Sequence, residues 1–163
     1  MHSLIDRCDT MAVHASAPAG GVHGEARWPG KVEISFSSGC YGQISDSEVE
    51  RRLAQVIQLL WTRYLERQRA VRAEFGVHEI EDDPVRDNVF RADRDRIVAV
   101  GQSDDGRVVV SAEGIHRWRV VVADGTVRVL TERDFRAAVN TAVMRLVADQ
   151  ARQVLELKGR VYG

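Results

Sequence analysis

The sequence contains little cysteine and almost no lysine. Its two cysteines, Cys8 and Cys40, are isolated and form no C-x-x-C pair, so they predict neither a disulfide framework nor a thiolate metal site. Only Lys31 and Lys158 are lysines among the 23 basic residues. The others are arginines, whose planar guanidinium groups suit carboxylates and phosphates, although a GC-rich coding sequence produces the same bias.

Long apolar runs are also missing. No stretch approaches the roughly 18 residues of a membrane span, and residues 1–10 have no apolar core typical of a secretory signal. Together with the isolated thiols, this predicts a cytoplasmic protein with no membrane partner. The 163 residues, of which 44% are hydrophobic, can still build a sizeable core, and a net charge of −1 provides no global attraction to nucleic acid.

The apolar and turn positions coincide when the chain is shifted by 86 residues, which indicates an internal repeat. The pattern predicts an α+β fold made of two β-β-β-α units, at residues 11–76 and 96–163, with a tail at 1–10 and a charged linker at 77–95 in which a short helical turn is the alternative to irregular chain. The matching pairs are Gly20 with Gly106, Ile34 with Val120, Phe36 with Val122, Gly39 with Gly125, Leu53 with Val139, and Leu60 with Leu146.

The second unit shows the pattern more clearly. Turn residues at Asp104-Asp105-Gly106 separate β-branched segments, and a final apolar-polar alternation predicts a strand with one buried face. Thr131 is expected to cap a helix that ends near Gly159. The predicted strands cover residues 97–100, 107–111 and 117–122, and residues 126–130 are expected to continue the sheet.

The first unit follows the same plan. Strands are predicted from Val13 and over residues 31–36, and Phe36 is expected in the core. Ser45 and Glu48 have the spacing of a capping box at the start of a long helix, which is expected to end near Phe75.

This order of strands, turns and capped helices resembles the YbaB/EbfC family of small nucleoid-associated proteins. The resemblance is carried by the turn and strand at residues 103–110, the alternating strand at 117–122 and the helix from Thr131. A family subunit has a long helix, three strands and a second helix, and residues 46–158 have that order. Because the family typically forms homodimers, the resemblance implies that two tandem units form a pseudo-dimer with antiparallel sheets in one chain. Pairing of the whole chain as a homodimer is a further expectation.

The resemblance implies a non-enzymatic protein that binds duplex DNA without sequence specificity and needs no cofactor. Similar folds also occur among actinobacterial proteins associated with type VII secretion, some of which resemble stabilisers of other proteins. The alternative expectation is therefore a chaperone or adaptor that binds a client protein.

The residues themselves show no catalytic or metal-binding motif. H-E-x-x-H, the phosphate loop and a G-x-G-x-x-G turn are all missing from the sequence. The adjacent His78 and Glu79 do not have the spacing of a metal pair on one helix face, and Asp82-Asp83 is interpreted as a solvated run. The segment Ser37–Cys40 is interpreted as a turn, because it matches Asp124-Gly125 of the other unit.

The first long helix carries the candidate DNA-binding residues. Projection at 100° per residue gives one apolar stripe that includes Val49, Leu53 and Tyr64, and it places Arg67 inside that stripe. Arginines bind phosphates without reading base sequence, whereas the interleaved glutamates favour a solvated face with helical ion pairs as the alternative. The candidate residues are Arg51, Arg52, Arg63, Arg67, Arg69 and Arg72.

Overall fold

The computed structural model describes residues 12–27, 31–74, 76 and 83–163, and it confirms a mixed α+β architecture. Two three-stranded antiparallel sheets are present, each with its strands in chain order. The first sheet contains β1 (Ala12–Ser16), β2 (Val22–Arg27) and β3 (Lys31–Phe36). The second contains β4 (Val98–Gln102), β5 (Val108–Glu113) and β6 (Arg117–Val122).

Two long helices begin at side-chain caps. The helix α1 spans Asp46–Glu74, and the Ser45 hydroxyl accepts a hydrogen bond from the Glu48 amide at 3.2 Å. The helix α4 spans Glu132–Tyr162, and the Thr131 hydroxyl accepts from the Asp134 amide at 3.1 Å. Both predicted caps are therefore confirmed, except that the Glu48 carboxylate binds arginines of α1 instead of completing the capping box.

Each long helix packs on strands of both sheets. The helix α1 lies on β1 and β2 of the first sheet and on β6 of the second, whereas α4 lies on β4 and β5 and on β3. The inward side chains of all six strands thus meet the apolar stripes of the two helices in one continuous core. Phe135 of α4 and Ile34 of β3 are among its largest buried side chains.

Polar side chains of the helices close the outer edges of the third strands. The Glu50 carboxylate of α1 accepts a hydrogen bond from the Val122 amide of β6 at 2.7 Å. On the other side, the Asn140 side chain of α4 accepts from the Val32 amide of β3 at 3.1 Å, and Arg136 donates to the Ile34 carbonyl. Each helix therefore satisfies some backbone groups of the third strand in the other half of the chain.

The segment predicted as a charged linker contains a helix. The helix α2 (Pro84–Arg94) begins with Pro84 in its first turn, and the Asp83 side chain accepts from the Arg86 amide at 3.2 Å. The helix packs on the end of α4, where the Phe90 and Tyr162 rings lie 5.8 Å apart and the Tyr162 hydroxyl donates to Asp87. The sequence-based linker prediction missed these tertiary contacts, and residues 77–82 lie outside the described part.

Three smaller predictions were wrong: a continued strand at residues 126–130, a helix end near Gly159 and full burial of Phe36. Residues 126–129 form a short helix, α3 (Thr126–Val129), because Gly125 turns the chain at a φ of 82° and Asp46 accepts hydrogen bonds from the Gly125 and Val127 amides. The helix α4 continues through Gly159, since Tyr162 is held by α2. Phe36 is only half-buried and packs at 6.0 Å against Phe135, the aromatic residue that is fully buried.

We expect Gly101→Ala to destabilise the fold strongly. A Cβ atom at this position of β4 would overlap the Ala142 carbonyl oxygen and the Leu146 amide nitrogen of α4, and helix backbone cannot move aside locally. The free energy of unfolding, measured by urea titration, should fall by about 2–3 kcal/mol or more. Gly42→Ala is the matched control, because its Cβ would meet no atom within 4 Å; equal effects of the two variants would contradict the close approach of β4 and α4.

The Asp149 carboxylate of α4 bonds to the edge of β4, and we expect acid to weaken this contact. Hydrogen bonds from Arg152 and from the Val100 amide hold the pKa of Asp149 below its ordinary value. A lowered folded-state pKa means that the stabilisation is complete at pH values above about 4 and is lost as the pH falls through the folded-state value. Asp149→Asn should therefore destabilise the protein at pH 7 and have a smaller effect at about pH 3.

Guanidinium unfolding at both pH values measures this difference. Glu156→Gln serves as the control, because Glu156 binds the same Arg152 at 2.9 Å but contacts no strand. An Asp149→Asn penalty that is unchanged by acid would show that the carboxylate charge does not hold the edge.

Candidate nucleic-acid interface

Most side chains in the last turns of α1 are exposed. A helix of 29 residues is about 43 Å long, whereas strands of five or six residues span about 20 Å. Between Leu53 and Leu60 the apolar stripe is continuously buried, but after Tyr64 the only buried residue of α1 is Val71. The end of α1 therefore carries mostly exposed side chains around Val71, which belongs to the core.

Two of the six candidate arginines are held at the beginning of α1. Arg51 and Arg52 both bind the Glu48 carboxylate, and Arg52 also donates to the Gly20 carbonyl at 3.3 Å. The Arg52 side chain is only 23% exposed. These arginines compensate a carboxylate and fasten the β1–β2 turn to the helix, so their charge is not free for phosphate.

Arg63 is held in a different way. Its guanidinium donates to the His14 carbonyl at the outer edge of β1. The side chain is exposed but anchored to strand backbone, and it retains its full positive charge because its partner is a neutral carbonyl.

The three remaining candidates lie where α1 leaves the core. Arg67, Arg69 and Arg72 are all exposed, and within the described residues they make no ion pair. Arg69 and Arg72 are three residues apart and share one face of the helix. The predicted apolar stripe is confirmed, because its residues from Val49 to Val71 are the buried ones of α1, and Arg67, which the projection places within it, is exposed.

The arginines of β6 provide a second basic feature. Arg117 and Arg119 are exposed on the outer face of the second sheet, which also carries the exposed Val98, Val100 and Val121. This face is therefore basic at one end and apolar at the other.

A chain of side-chain hydrogen bonds on the first sheet was not anticipated. The Ser16 hydroxyl lies 2.8 Å from Nδ1 of His23, and the Ser37 hydroxyl lies 2.8 Å from Nε2. Ser16 and His23 are direct partners across the β1–β2 hairpin. The turn at Pro18–Gly21 sets this pairing, so the contact could have been predicted from the sequence. The arrangement resembles a nucleophile and base, but the third group is a hydroxyl and not the carboxylate that orients histidine in a catalytic triad.

An apolar cleft opens between the helices and the sheet edges. It is lined by Trp61 and Tyr64 of α1, Trp118 of β6 and Val143 and Val147 of α4. Its volume of about 40 Å³ is close to that of one or two water molecules, which is too small for a metabolite.

No family model, no curated protein and no solved structure matches this chain. The YbaB/EbfC resemblance therefore stays an expectation based on the sequence pattern.

The described part of the chain contains no group of three metal-ligating side chains that could hold an ion. The Ser37–Cys40 segment forms the predicted turn, with Gly39 at a φ of 78°, and Cys40 is a free thiol. Cys8, His78, Glu79 and Asp82 lie outside the described residues. Across residues 12–27, 31–74, 76 and 83–163, no helix is long and apolar enough to span a membrane.

Proposed function

We propose that this chain is a non-enzymatic, tandem YbaB/EbfC-like protein whose two halves form an internal pseudo-dimer. The reciprocal edge contacts support the repeat, because Glu50 and Arg136 are 86 residues apart and each reaches the third strand of the other half. The equal strand order of the two sheets supports it as well. On this interpretation α1 and α4 are equivalent helices that exchange partners within one chain.

We propose that the pseudo-dimer binds the phosphate backbone of duplex DNA through the end of α1. The observation that carries this function is the pair Arg69 and Arg72, which are exposed on one helix face and make no ion pair within the described residues. Guanidinium groups bind phosphate in fork geometry and carry no base information, so binding is expected to be independent of DNA sequence.

The charge balance limits the strength of this binding. The net charge is −1, and Glu66 and Glu74 lie on the same helix end as the free arginines. Only a few phosphates are therefore neutralised, so binding should be measurable at low salt and should weaken as salt rises, with a slope set by the number of contacts.

A salt titration of duplex binding tests the proposal. Wild type should bind two unrelated duplexes with equal affinity at low salt. Arg69→Gln/Arg72→Gln should weaken binding to both and flatten the plot of log affinity against log salt by about two units, roughly one for each lost phosphate contact.

The control variant is Arg51→Gln/Arg86→Gln. It removes the same charge from two arginines that are paired with Glu48 and Asp83, so its slope should stay near that of wild type. Circular dichroism of all variants monitors folding. No wild-type binding at low salt would exclude DNA as the ligand, and equal slopes for the two double variants would move the contact away from the end of α1.

A protein-binding adaptor or chaperone, such as those linked to type VII secretion, is the second candidate function. Exposed apolar side chains favour it, since Val85 and Val89 lie one turn apart on α2 and are 75% and 47% exposed, and Leu155 of α4 is 72% exposed. Such side chains would support protein binding if they form one continuous apolar surface, which is the kind of patch that marks protein-binding sites. Binding to a client that is insensitive to salt would separate this function from DNA binding.

A further inference from the structure

The outer edge of β1 presents backbone groups that the described chain leaves unpaired. The Ala17 amide donates to the Val22 carbonyl at 2.9 Å, which fixes Ala17 and Val22 as a hydrogen-bonded pair. In an antiparallel ladder such pairs alternate with non-bonded ones. Given the register of the hairpin, Ala12, His14 and Ser16 therefore point their N–H and C=O groups away from β2.

Among these outward groups, only the His14 carbonyl has a partner within the described residues, which is the Arg63 guanidinium. The N–H groups of Ala12, His14 and Ser16 and the other two carbonyls have none there. An edge of five residues with this pattern can accept an added antiparallel or parallel strand.

The corresponding edge of the second sheet is closed. Along β4, the Val100 amide donates to Asp149 at 3.0 Å, the Val98 carbonyl accepts from Gln153 at 2.9 Å, and the Gln102 carbonyl accepts from Arg145 at 2.8 Å. Side chains from three successive turns of α4 thus bond to the β4 edge, whereas a single side chain of α1 bonds to the β1 edge. The two edges share one strand geometry, so the difference lies in the helix residues beside them.

Two arginines lie beside the open edge, together with Glu66 of α1 and with Glu25, whose carboxylate is 4.0 Å from the His14 ring. Arg63 lies at the His14 carbonyl, and Arg67 follows one helical turn later on the same face and is exposed. The nearest acid of the outer sheet face, Glu25, is paired with Arg27 at 2.8 Å. The two arginines beside the β1 edge, Arg63 and Arg67, have no carboxylate partner in the described residues.

The geometry points to a protein-binding site at this edge: β1 accepts an extended acidic segment of a partner protein as a fourth strand, and Arg63 and Arg67 bind its carboxylates. Backbone hydrogen bonds to Ala12, His14 and Ser16 supply affinity, and the two arginines select acidic side chains. On binding, the partner's N–H replaces the Arg63 guanidinium at the His14 carbonyl, which releases Arg63 for a carboxylate. The inference is independent of DNA binding by Arg69 and Arg72.

A second copy of β1 is a poor occupant of the same edge. Its sequence, Ala-Val-His-Ala-Ser, contains no acid, and antiparallel pairing of two β1 strands would bring Arg63 and Arg67 of both copies to one interface. Like charges placed together in an interface oppose association, so the charge pattern favours a different, acidic strand.

The test uses the full chain and a fluorescein-labelled peptide of about ten residues that alternates threonine with glutamate, long enough for one strand. Fluorescence anisotropy should show binding, and a peptide with lysine in place of glutamate should bind at least about tenfold more weakly. Hydrogen exchange of the assigned amides should slow at Ala12, His14 and Ser16 when the acidic peptide is added, with no change along β4.

Two variants and one modified peptide separate backbone pairing from charge. His14→Pro removes an outward N–H that no β2 group uses and should reduce binding to the detection limit, whereas His14→Ala should bind as wild type does. Arg63→Gln/Arg67→Gln should weaken binding about tenfold. N-methylation of alternate peptide amides should abolish binding to the unaltered protein, which keeps the test valid if His14→Pro fails to fold.

Several results would overturn the inference. Absence of binding at millimolar acidic peptide, equal binding of the lysine peptide, or binding that survives N-methylation in both registers would each do so. Slow exchange of the Ala12, His14 and Ser16 amides in the free monomer would show that the edge is already covered. A concentration-dependent dimer lost in His14→Pro would assign the edge to a second copy. Arg69→Gln/Arg72→Gln leaves the edge unaltered, so peptide and DNA results remain separate.

Discussion

The fold depends on a reciprocal contact in which each long helix satisfies the third strand of the other half. Glu50 of α1 accepts from β6, and Asn140 and Arg136 of α4 bond to β3. A three-stranded sheet with a single helix would leave a third-strand edge and part of an apolar face uncovered. Because the helices exchange partners, the removal of either half would expose unpaired backbone groups in the other, and the two sheets with their helices are expected to unfold as one cooperative unit.

Several arginines of this chain bond to backbone at strand edges. Arg63, Arg136 and Arg145 all donate to carbonyls at strand edges, and Arg145 also binds Asp104. A guanidinium group has donors that point in several fixed directions, so it can bond to two acceptors at once. The ammonium group of lysine, on a flexible stem, holds two acceptors with less defined geometry. Several arginines that a sequence pattern assigns to phosphate therefore stabilise the sheets, whereas Arg69 and Arg72 of α1 and Arg119 of β6 are exposed and make no ion pair within the described residues.

The elements with strong local patterns could be predicted from the sequence. The strand at residues 31–36 and the strand at 117–122 alternate clearly, and the Ser45 and Thr131 caps mark the helix starts. The errors arose where distant residues decide the structure, as with Asp46 holding α3 and Tyr162 holding α2. The candidate site was predicted only as a set of arginines. Two of them are paired with Glu48, and the periodic pattern of apolar residues cannot show such a pairing.

The proposed binding groups lie where α1 has few buried side chains. Side chains of α1 that lie over the strands are used in packing and edge closure, so their geometry cannot change without loss of stability. At the end of α1 only Val71 is buried, and the β1 edge lacks the side-chain partners that close β4. Binding groups placed there can exchange internal partners for external ones while the core stays intact. A macromolecular ligand, DNA or protein, is therefore most compatible with the same end of the molecule.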